Sequence, residues 1–262
     1  MILDFISLNC RGILCAPSES LEDFQKRQDL LVSQIIARRL TEVSHVSEEN
    51  RIHMSMTYSS LDLDLDWALI YHSHKKLPFW ELAATWIFHL QGVVVPFVQI
   101  RSTNSSKLEE ILKHEAVHMA RSTFHEPIYE EFLAYATSRF RWRKIWGPLI
   151  RSSHESTLLM LLILVATCAT CLWTSGFWMW ILLCGFLTYL VCRLLRRGRI
   201  FKKMLKAVAD IFAVDNPLKI AIRLSDQDIN VFGVQSLENS KQYIKKQNTP
   251  RWEQILSSYS LR

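Results

Sequence analysis

Residues 156–192 read STLLMLLILVATCATCLWTSGFWMWILLCGFLTYLVC and contain no Asp, Glu, Lys or Arg. These 37 residues are too many for one membrane crossing of about 20 residues and suit two short crossings. Residues 174–176 (TSG) lie near the middle and predict a turn between helices over residues 156–173 and 176–192. We therefore predict a transmembrane helical hairpin, in preference to a buried hairpin in the core of a soluble protein.

The positive charge of the chain is concentrated at the borders of this hairpin. Residues 139–206 contain twelve Lys or Arg and one acidic residue, whereas the rest of the chain has nineteen basic and twenty-four acidic residues. By the positive-inside rule, both ends of the hairpin and both termini are expected in the cytoplasm. Only Cys10 and Cys15 lie outside the hairpin, which fits a reducing compartment. The charge distribution predicts a lipid bilayer as partner and argues against nucleic acid.

Outside the hairpin, composition and periodicity predict mainly helix. Gly and Pro number seven each, which disfavours a loop-rich or all-β chain. Apolar residues recur at helical spacing over residues 20–49, and residues 203–213 and 251–258 also have helical character. Residues 77–90 are apolar and rich in tryptophan but contain two ionisable side chains, which favours a core or interface helix over a third membrane span.

Two short segments predict a small β edge. Residues 60–66 alternate Leu and Asp, and this period of two indicates a strand whose aspartates form a solvated face or, alternatively, a cation site. Residues 92–100 (GVVVPFVQI) are β-branched, and Pro96 places them at a sheet edge because proline donates no hydrogen bond. The predicted fold class is mainly α with a small β edge, an α+β domain, plus a two-helix transmembrane hairpin.

Residues 114–118 read HEAVH within a segment predicted to be helical. Because His114 and His118 are four residues apart, both imidazoles project from the same helix face and can bind one Zn²⁺. Glu115 lies beside them, where it can hold and deprotonate a metal-bound water. The sequence therefore predicts a catalytic zinc site, and the alternative is a surface helix that happens to carry two histidines.

A catalytic zinc site of this kind needs a third protein ligand and leaves a fourth position for water. Residues 121–126 predict a short turn, and Pro127 is well placed at the first position of a second helix that continues to residue 139. With a rise of about 1.5 Å per residue, an antiparallel helix pair brings Glu131 level with His118. Glu131 is therefore the first candidate for the third ligand.

Other residues compete for roles at this site. Glu130 is an alternative third ligand, and His125 would give a site made only of histidines. Hydrolysis also needs a donor that stabilises the oxyanion, or a side chain that contacts substrate. Three residues lie near enough in sequence to serve, although each has a structural alternative: Tyr129, Tyr135 and Arg121.

This pattern resembles the gluzincins, peptidases that combine HExxH with a Glu-x-x-Ala element supplying the glutamate ligand. The matching residues are His114, Glu115, His118, Glu131 and Ala134. The interval between His118 and Glu131 is shorter than in most gluzincins, and Tyr135 stands where an Asp often orients the site. The resemblance implies a zincin-like domain in which Glu115 is the general base.

The order of the parts is similar to that of the membrane-bound M48 family of zinc peptidases, in which an HExxH domain adjoins a transmembrane hairpin. Residues 207–210 (AVAD) resemble the end of that family's Glu-x-x-Ala-Asp element, but Lys206 stands in place of its ligand glutamate. A protonated lysine binds no zinc, so the carboxylate ligand must precede the hairpin. In such peptidases an extended substrate pairs with a strand edge, here expected at residues 92–100.

The resulting hypothesis divides the chain into three parts. Residues 1–155 form the zincin-like cytoplasmic domain, residues 156–192 the transmembrane hairpin, and residues 193–262 a basic juxtamembrane segment with a small cytoplasmic tail domain. The predicted function is a membrane-anchored zinc peptidase that acts on peptides or proteins. The alternatives are a non-catalytic membrane scaffold with a structural HEAVH helix, and a hairpin-anchored effector that remodels membranes.

Overall fold

A computed structural model describes residues 4–40, 61–65, 67–73, 75, 77, 81–90, 93–101, 105–172 and 177–261. The protein is mainly helical (64%), with a three-stranded sheet and two helices long and apolar enough to span a membrane. The strands are β1 (Leu69–His72), β2 (Ala83–Leu90) and β3 (Val93–Ile100). The helices are α1 (Phe5–Cys10), α2 (Leu21–Leu40), α3 (Ser105–Ala120), α4 (Glu130–Ala136), α5 (Arg141–Trp146), α6 (Ser153–Leu172), α7 (Phe177–Phe212), α8 (Leu218–Ala221), α9 (Asp226–Val234), α10 (Leu237–Lys245) and α11 (Pro250–Ser258), with a 3₁₀ turn over Gly147–Leu149.

Helices α6 and α7 pack against each other as the predicted hairpin. In the most apolar stretch of α6 only 6% of the residues are buried, and in that of α7 only 17%. A core helix of a soluble protein is mostly buried. The predicted turn at residues 174–176 lies outside the described residues. Helix α7 does not end at residue 192 as predicted. It continues because apolar residues at helical spacing bury one face of its second half in the core: Leu194, Phe201, Met204, Val208 and Ile211.

The sheet corrects two predictions. Most of residues 77–90 was predicted to be helix, but β2 is a strand that pairs antiparallel with β3. β3 was predicted at the edge, but the strand order β1-β3-β2 places it in the centre. Pro96 is tolerated there because the parallel pairing with β1 begins only at the next residue, Phe97. Strand β2 is therefore an edge strand of this sheet among the described residues.

The Leu/Asp alternation was also predicted to be a strand, but Leu61 is helical and residues 62–65 are irregular. Its leucines are buried as the alternation implies, but Asp62 has φ of +52°, which interrupts an extended backbone. The Asp62 carboxylate accepts hydrogen bonds from Lys219 at 2.8 Å and Tyr259 at 3.2 Å, so its described partners are side chains of this protein. Asp66 lies outside the described residues.

The parts of the chain before and after the hairpin share one hydrophobic core. Near the C-terminus, Gln254 accepts a hydrogen bond from the backbone of Cys15 and donates one to the carbonyl of Ile13, both at 2.9 Å. The buried Arg223 donates to the carbonyl of Asn9 at 3.0 Å. The described residues after the hairpin therefore share a core with the described residues before it. The predicted helix at residues 251–258 is confirmed as α11.

Candidate metal centre

Helix α3 carries the HEAVH sequence and presents both histidines on one side. The Nε2 atoms of His114 and His118 are 3.2 Å apart. The other side of the helix is fixed by buried apolar residues at helical spacing: Leu108, Leu112, Ala116 and Met119. The helix packs against β2, β3 and α4, so both histidines face the space between β2 and α4.

Helix α4 begins later and is shorter than predicted. Its first residue is Glu130 instead of Pro127, and it ends at Ala136 instead of continuing to residue 139. Asp226, the first residue of α9, stabilises the turn before α4. Its carboxylate accepts hydrogen bonds from the backbone N–H groups of Ile128 at 2.9 Å and Tyr129 at 3.2 Å. Glu131 is therefore in the first turn of α4, where it still meets α3.

Three side chains form a group that could bind a metal ion. One ligand atom each from His114, His118 and Glu131 lies within 4.8 Å of the others. The Glu131 carboxylate is 3.7 Å from Nε2 of His114 and 3.6 Å from Nε2 of His118. Tetrahedral ligands about 2.1 Å from a zinc ion are about 3.4 Å apart. The observed distances are therefore close to those of a four-coordinate site.

The two competing third ligands occupy different positions. Glu130 lies behind His118, with Oε1 3.0 Å from His118 Nδ1 and Oε2 accepting from Arg121 Nε at 2.8 Å. His125 has φ of +52° and lines the same cavity, but it is outside the three-residue group. The structure thus places Glu131 between the histidines and Glu130 on the outer side of one of them.

The three candidate oxyanion or substrate contacts separate in the same way. Tyr129 is buried, and its hydroxyl donates to Asn230 at 2.7 Å, away from the group. Arg121 is buried and donates to the carbonyls of Ile222 and Leu224 at 2.8 and 2.6 Å, which joins α3 to the C-terminal part of the chain. Tyr135 lines the cavity, and its ring centroid is 4.6 Å from that of His114. Of the three, Tyr135 is the one placed against the metal-binding group.

Glu115 is buried, and its carboxylate accepts a hydrogen bond from Thr85 of β2 at 2.7 Å. Burial raises the pKa of Glu115, while the charge of His118 and the Thr85 hydrogen bond act in the opposite direction. The sequence did not point to Thr85, because its segment was predicted to be helix. The signal that was available is the run of β-branched and aromatic residues at positions 85–88 (TWIF).

The charges of the group are strongly coupled. Burial lowers the pKa of His114, and the charge of His118 lowers it further. Burial also opposes a charge on His118, but the hydrogen bond to Glu130 and the charge of Glu131 raise its pKa to about 10. Burial raises the pKa of Glu131 to about 7. The surroundings therefore disfavour a proton on His114 and favour one on His118.

The group opens into a cavity of about 980 Å³. Its walls come from β2, α3 and α4, and from residues 146–153, which lead into α6. The cavity therefore lies beside the start of the first candidate membrane helix. Lys206, at the position that corresponds to a ligand in the M48 family, is exposed on α7 and is not among the described residues that line the cavity.

Comparison with protein-family models, curated proteins and solved structures found no match.

Proposed function

We propose that this protein is a membrane-anchored, zinc-dependent peptidase of gluzincin type with a zincin-like domain. His114, His118 and Glu131 hold the metal, and Glu115 is the general base. The observation that carries the proposal is the placement of Glu115 next to the two histidines and the Glu131 carboxylate in one cavity. In the same proposal, α6 and α7 cross the bilayer and both termini lie in the cytoplasm.

Zinc bound here would polarise the scissile carbonyl and lower the pKa of its water towards about 7. Glu115 takes the proton from the attacking water and passes it to the leaving amine. Its buried position supports this role, since a carboxylate with a raised pKa is a stronger base. Thr85 holds one carboxylate oxygen, which leaves the other free to face the water.

Tyr135 is the proposed donor to the oxyanion. Its ring packs edge-on against His114 and is held on its other side by residues before α6. A Cβ added at Gly147 would lie 2.4 Å from the Tyr135 ring. The backbone at Gly147 therefore approaches the ring more closely than a residue with a Cβ would allow. The guanidinium of Arg143 lies 5.6 Å from the ring centroid. These contacts fix the ring at the cavity wall.

Strand β2 is the proposed binding edge for the substrate. Residues 83–85 and Ile87 of β2 line the cavity, and the side of β2 away from β3 has no partner strand among the described residues. An extended peptide could add to this edge through backbone hydrogen bonds, which are independent of side-chain identity. This replaces the expectation that residues 92–100 supply the edge. A polypeptide substrate suits such a surface better than a small molecule.

The first test is the metal content of detergent-purified protein, measured by inductively coupled plasma mass spectrometry. We expect about one zinc per chain in the wild type and its loss in Glu131→Ala and His114→Ala. His125→Ala is the matched control, because His125 lines the cavity outside the group, and it should keep its zinc. A preparation that binds no zinc, or a Glu131→Ala variant that binds as much as the wild type, would overturn the proposal.

The second test concerns catalysis. Glu115→Gln should keep zinc but abolish the new peptide N-termini that the wild type produces in a membrane-protein extract, as measured by N-terminal peptide profiling. If wild type and Glu115→Gln give the same termini while both bind zinc, the site is a structural metal site. That outcome would support the scaffold alternative.

A further inference from the structure

Helix α5 (Arg141–Trp146) exposes an apolar face. Trp142, Ile145 and Trp146 are spaced three and four residues apart and therefore share one side of the helix. Their exposed fractions are 64%, 50% and 51%, and Phe140 before the helix is 42% exposed. Burying large apolar side chains is strongly favourable, so a cluster of this kind marks a contact surface.

Basic side chains flank this face. Arg139, Arg141 and Lys144 are exposed, and residues 139–146 contain no Asp or Glu. Arg143 turns inward and donates to Glu110 at 2.8 Å, and Nε of the exposed Arg139 lies 3.8 Å from the same carboxylate. Tryptophan with surrounding lysine and arginine is typical of segments that lie in the headgroup region of a bilayer. The positive charge of these side chains favours binding to a membrane leaflet that contains anionic lipid.

The position of α5 supports the same partner. The 3₁₀ turn at Gly147–Leu149 follows α5 directly and packs against α7. Near the ends of the two membrane helices, Arg193 Nη1 donates to Glu155 at 2.6 Å. A charged pair of this kind is expected at the membrane surface and not in the hydrocarbon, so it marks the level of the interface. Helix α5 is joined to the hairpin at this level.

We propose that α5 lies in the headgroup layer of an anionic leaflet, with Trp142, Ile145 and Trp146 directed into the bilayer. Arg139, Arg141 and Lys144 contact the lipid phosphates. Trp146 also lines the cavity, so this contact holds the wall of the site at the membrane surface. It follows that the substrate segment lies close to the bilayer. This last consequence rests on the proposed peptidase function, whereas the lipid contact does not.

The test uses the full chain in nanodiscs of phosphatidylcholine, with or without phosphatidylglycerol. Ile145→Cys is labelled with a charged maleimide, and each modified cysteine is quantified by peptide mass spectrometry. The control is Val234→Cys, at a position that is 70% exposed on the soluble body. With anionic lipid, residue 145 should react about tenfold more slowly than residue 234. Adding Arg141→Ala and Lys144→Ala together should remove most of this roughly tenfold difference, and only in anionic discs.

Equal labelling of residues 145 and 234 in anionic discs would overturn the inference. Protection that is the same in both lipids and insensitive to Arg141→Ala and Lys144→Ala would also overturn it, because it would indicate contact with protein.

The exposed cysteines Cys168 and Cys184 on α6 and α7 report on the hairpin in the same samples. If they react, membrane anchoring fails together with this inference. If they stay protected while residue 145 reacts, this inference alone fails and anchoring stands. Neither result depends on zinc or on proteolysis.

Discussion

Glu130 Oε1 lies 3.0 Å from Nδ1 of His118, on the side of the ring that faces away from His114 and Glu131. A metal-binding histidine is commonly oriented through its second nitrogen by a carboxylate, which fixes the tautomer and strengthens the ligand. Glu130 is itself held by Arg121, at 2.8 Å, and burial is outweighed by Arg121 and His118 so that its pKa is lowered. In the proposed metal site, the adjacent glutamates thus have different roles: Glu130 orients His118, and Glu131 is a ligand.

The role of Glu130 predicts a graded effect on metal affinity. Glu130→Ala should weaken zinc binding by about 10- to 100-fold, because His118 loses the partner that orients it. Glu130→Gln keeps a hydrogen-bond acceptor and should weaken binding less. Affinity is measured by competition with a chromophoric chelator, and circular dichroism checks that each variant is folded. Equal losses in Glu130→Ala and Glu131→Ala would contradict the division of roles.

The raised pKa values predict that zinc binding weakens as the pH falls. Zinc binds the neutral imidazole, so it must displace the proton that His118 holds below a pKa of about 10. Affinity should therefore fall about tenfold for each unit of pH below that value. Below pH 7 the slope should steepen, since Glu131, with a pKa of about 7, takes up a second proton. Chelator competition between pH 6 and 9 measures the slope, and affinity independent of pH would refute the assignment.

Thr85 predicts a change in the pH profile of proteolysis. Its hydrogen bond favours the charged form of Glu115, so Thr85→Val should raise the pKa of Glu115 further. A general base must be deprotonated, and the variant should lose more activity at pH 6 than at pH 8. Thr85→Ser keeps the hydroxyl and serves as the matched control. A loss that is the same at every pH would assign Thr85 to substrate binding instead.

Gly147 predicts a steric effect on Tyr135. In Gly147→Ala the new Cβ would lie 2.4 Å from ring atoms of Tyr135, so the ring must move or the turn must open. We expect a loss of about 1–3 kcal/mol in the free energy of unfolding, together with reduced activity. Gly198→Ala is the control, because its Cβ would be 3.7 Å from the nearest described atom, an ordinary contact. Denaturant unfolding in detergent compares the two variants.

The sequence predicted the elements whose signal is local. The uncharged stretch at residues 156–192 can be seen from composition alone, and its described residues lie in α6 and α7. The four-residue spacing of His114 and His118 is complete within α3. Strand β2 was mistaken for helix because a short apolar run has no period that separates the two. The central place of β3 depends on pairing with β1, which is distant in sequence.

The choice of the third ligand also depended on a contact between residues distant in sequence. Consecutive residues on a helix point about 100° apart, so the choice between Glu130 and Glu131 depends on where α4 begins. That start is set by Asp226, which holds the backbone of Ile128 and Tyr129 from the far end of the chain. Spacing along residues 118–131 contains no information about this contact. The partnership of Thr85 with Glu115 was out of reach for the same reason.

Helix α7 is one uninterrupted helix that runs from the apolar hairpin into the core. At about 1.5 Å per residue its 36 residues span about 54 Å, more than the hydrocarbon thickness of about 30 Å. In its second half, the side chains of Phe201, Met204 and Val208 are buried in the core. The helix therefore cannot rotate about its own axis without disrupting the packing of that core. In the proposed membrane topology, the part of the protein packed around this second half must adopt the tilt and rotation that the bilayer imposes on the hairpin. A bilayer of different thickness would then reorient this packed part and its cavity together.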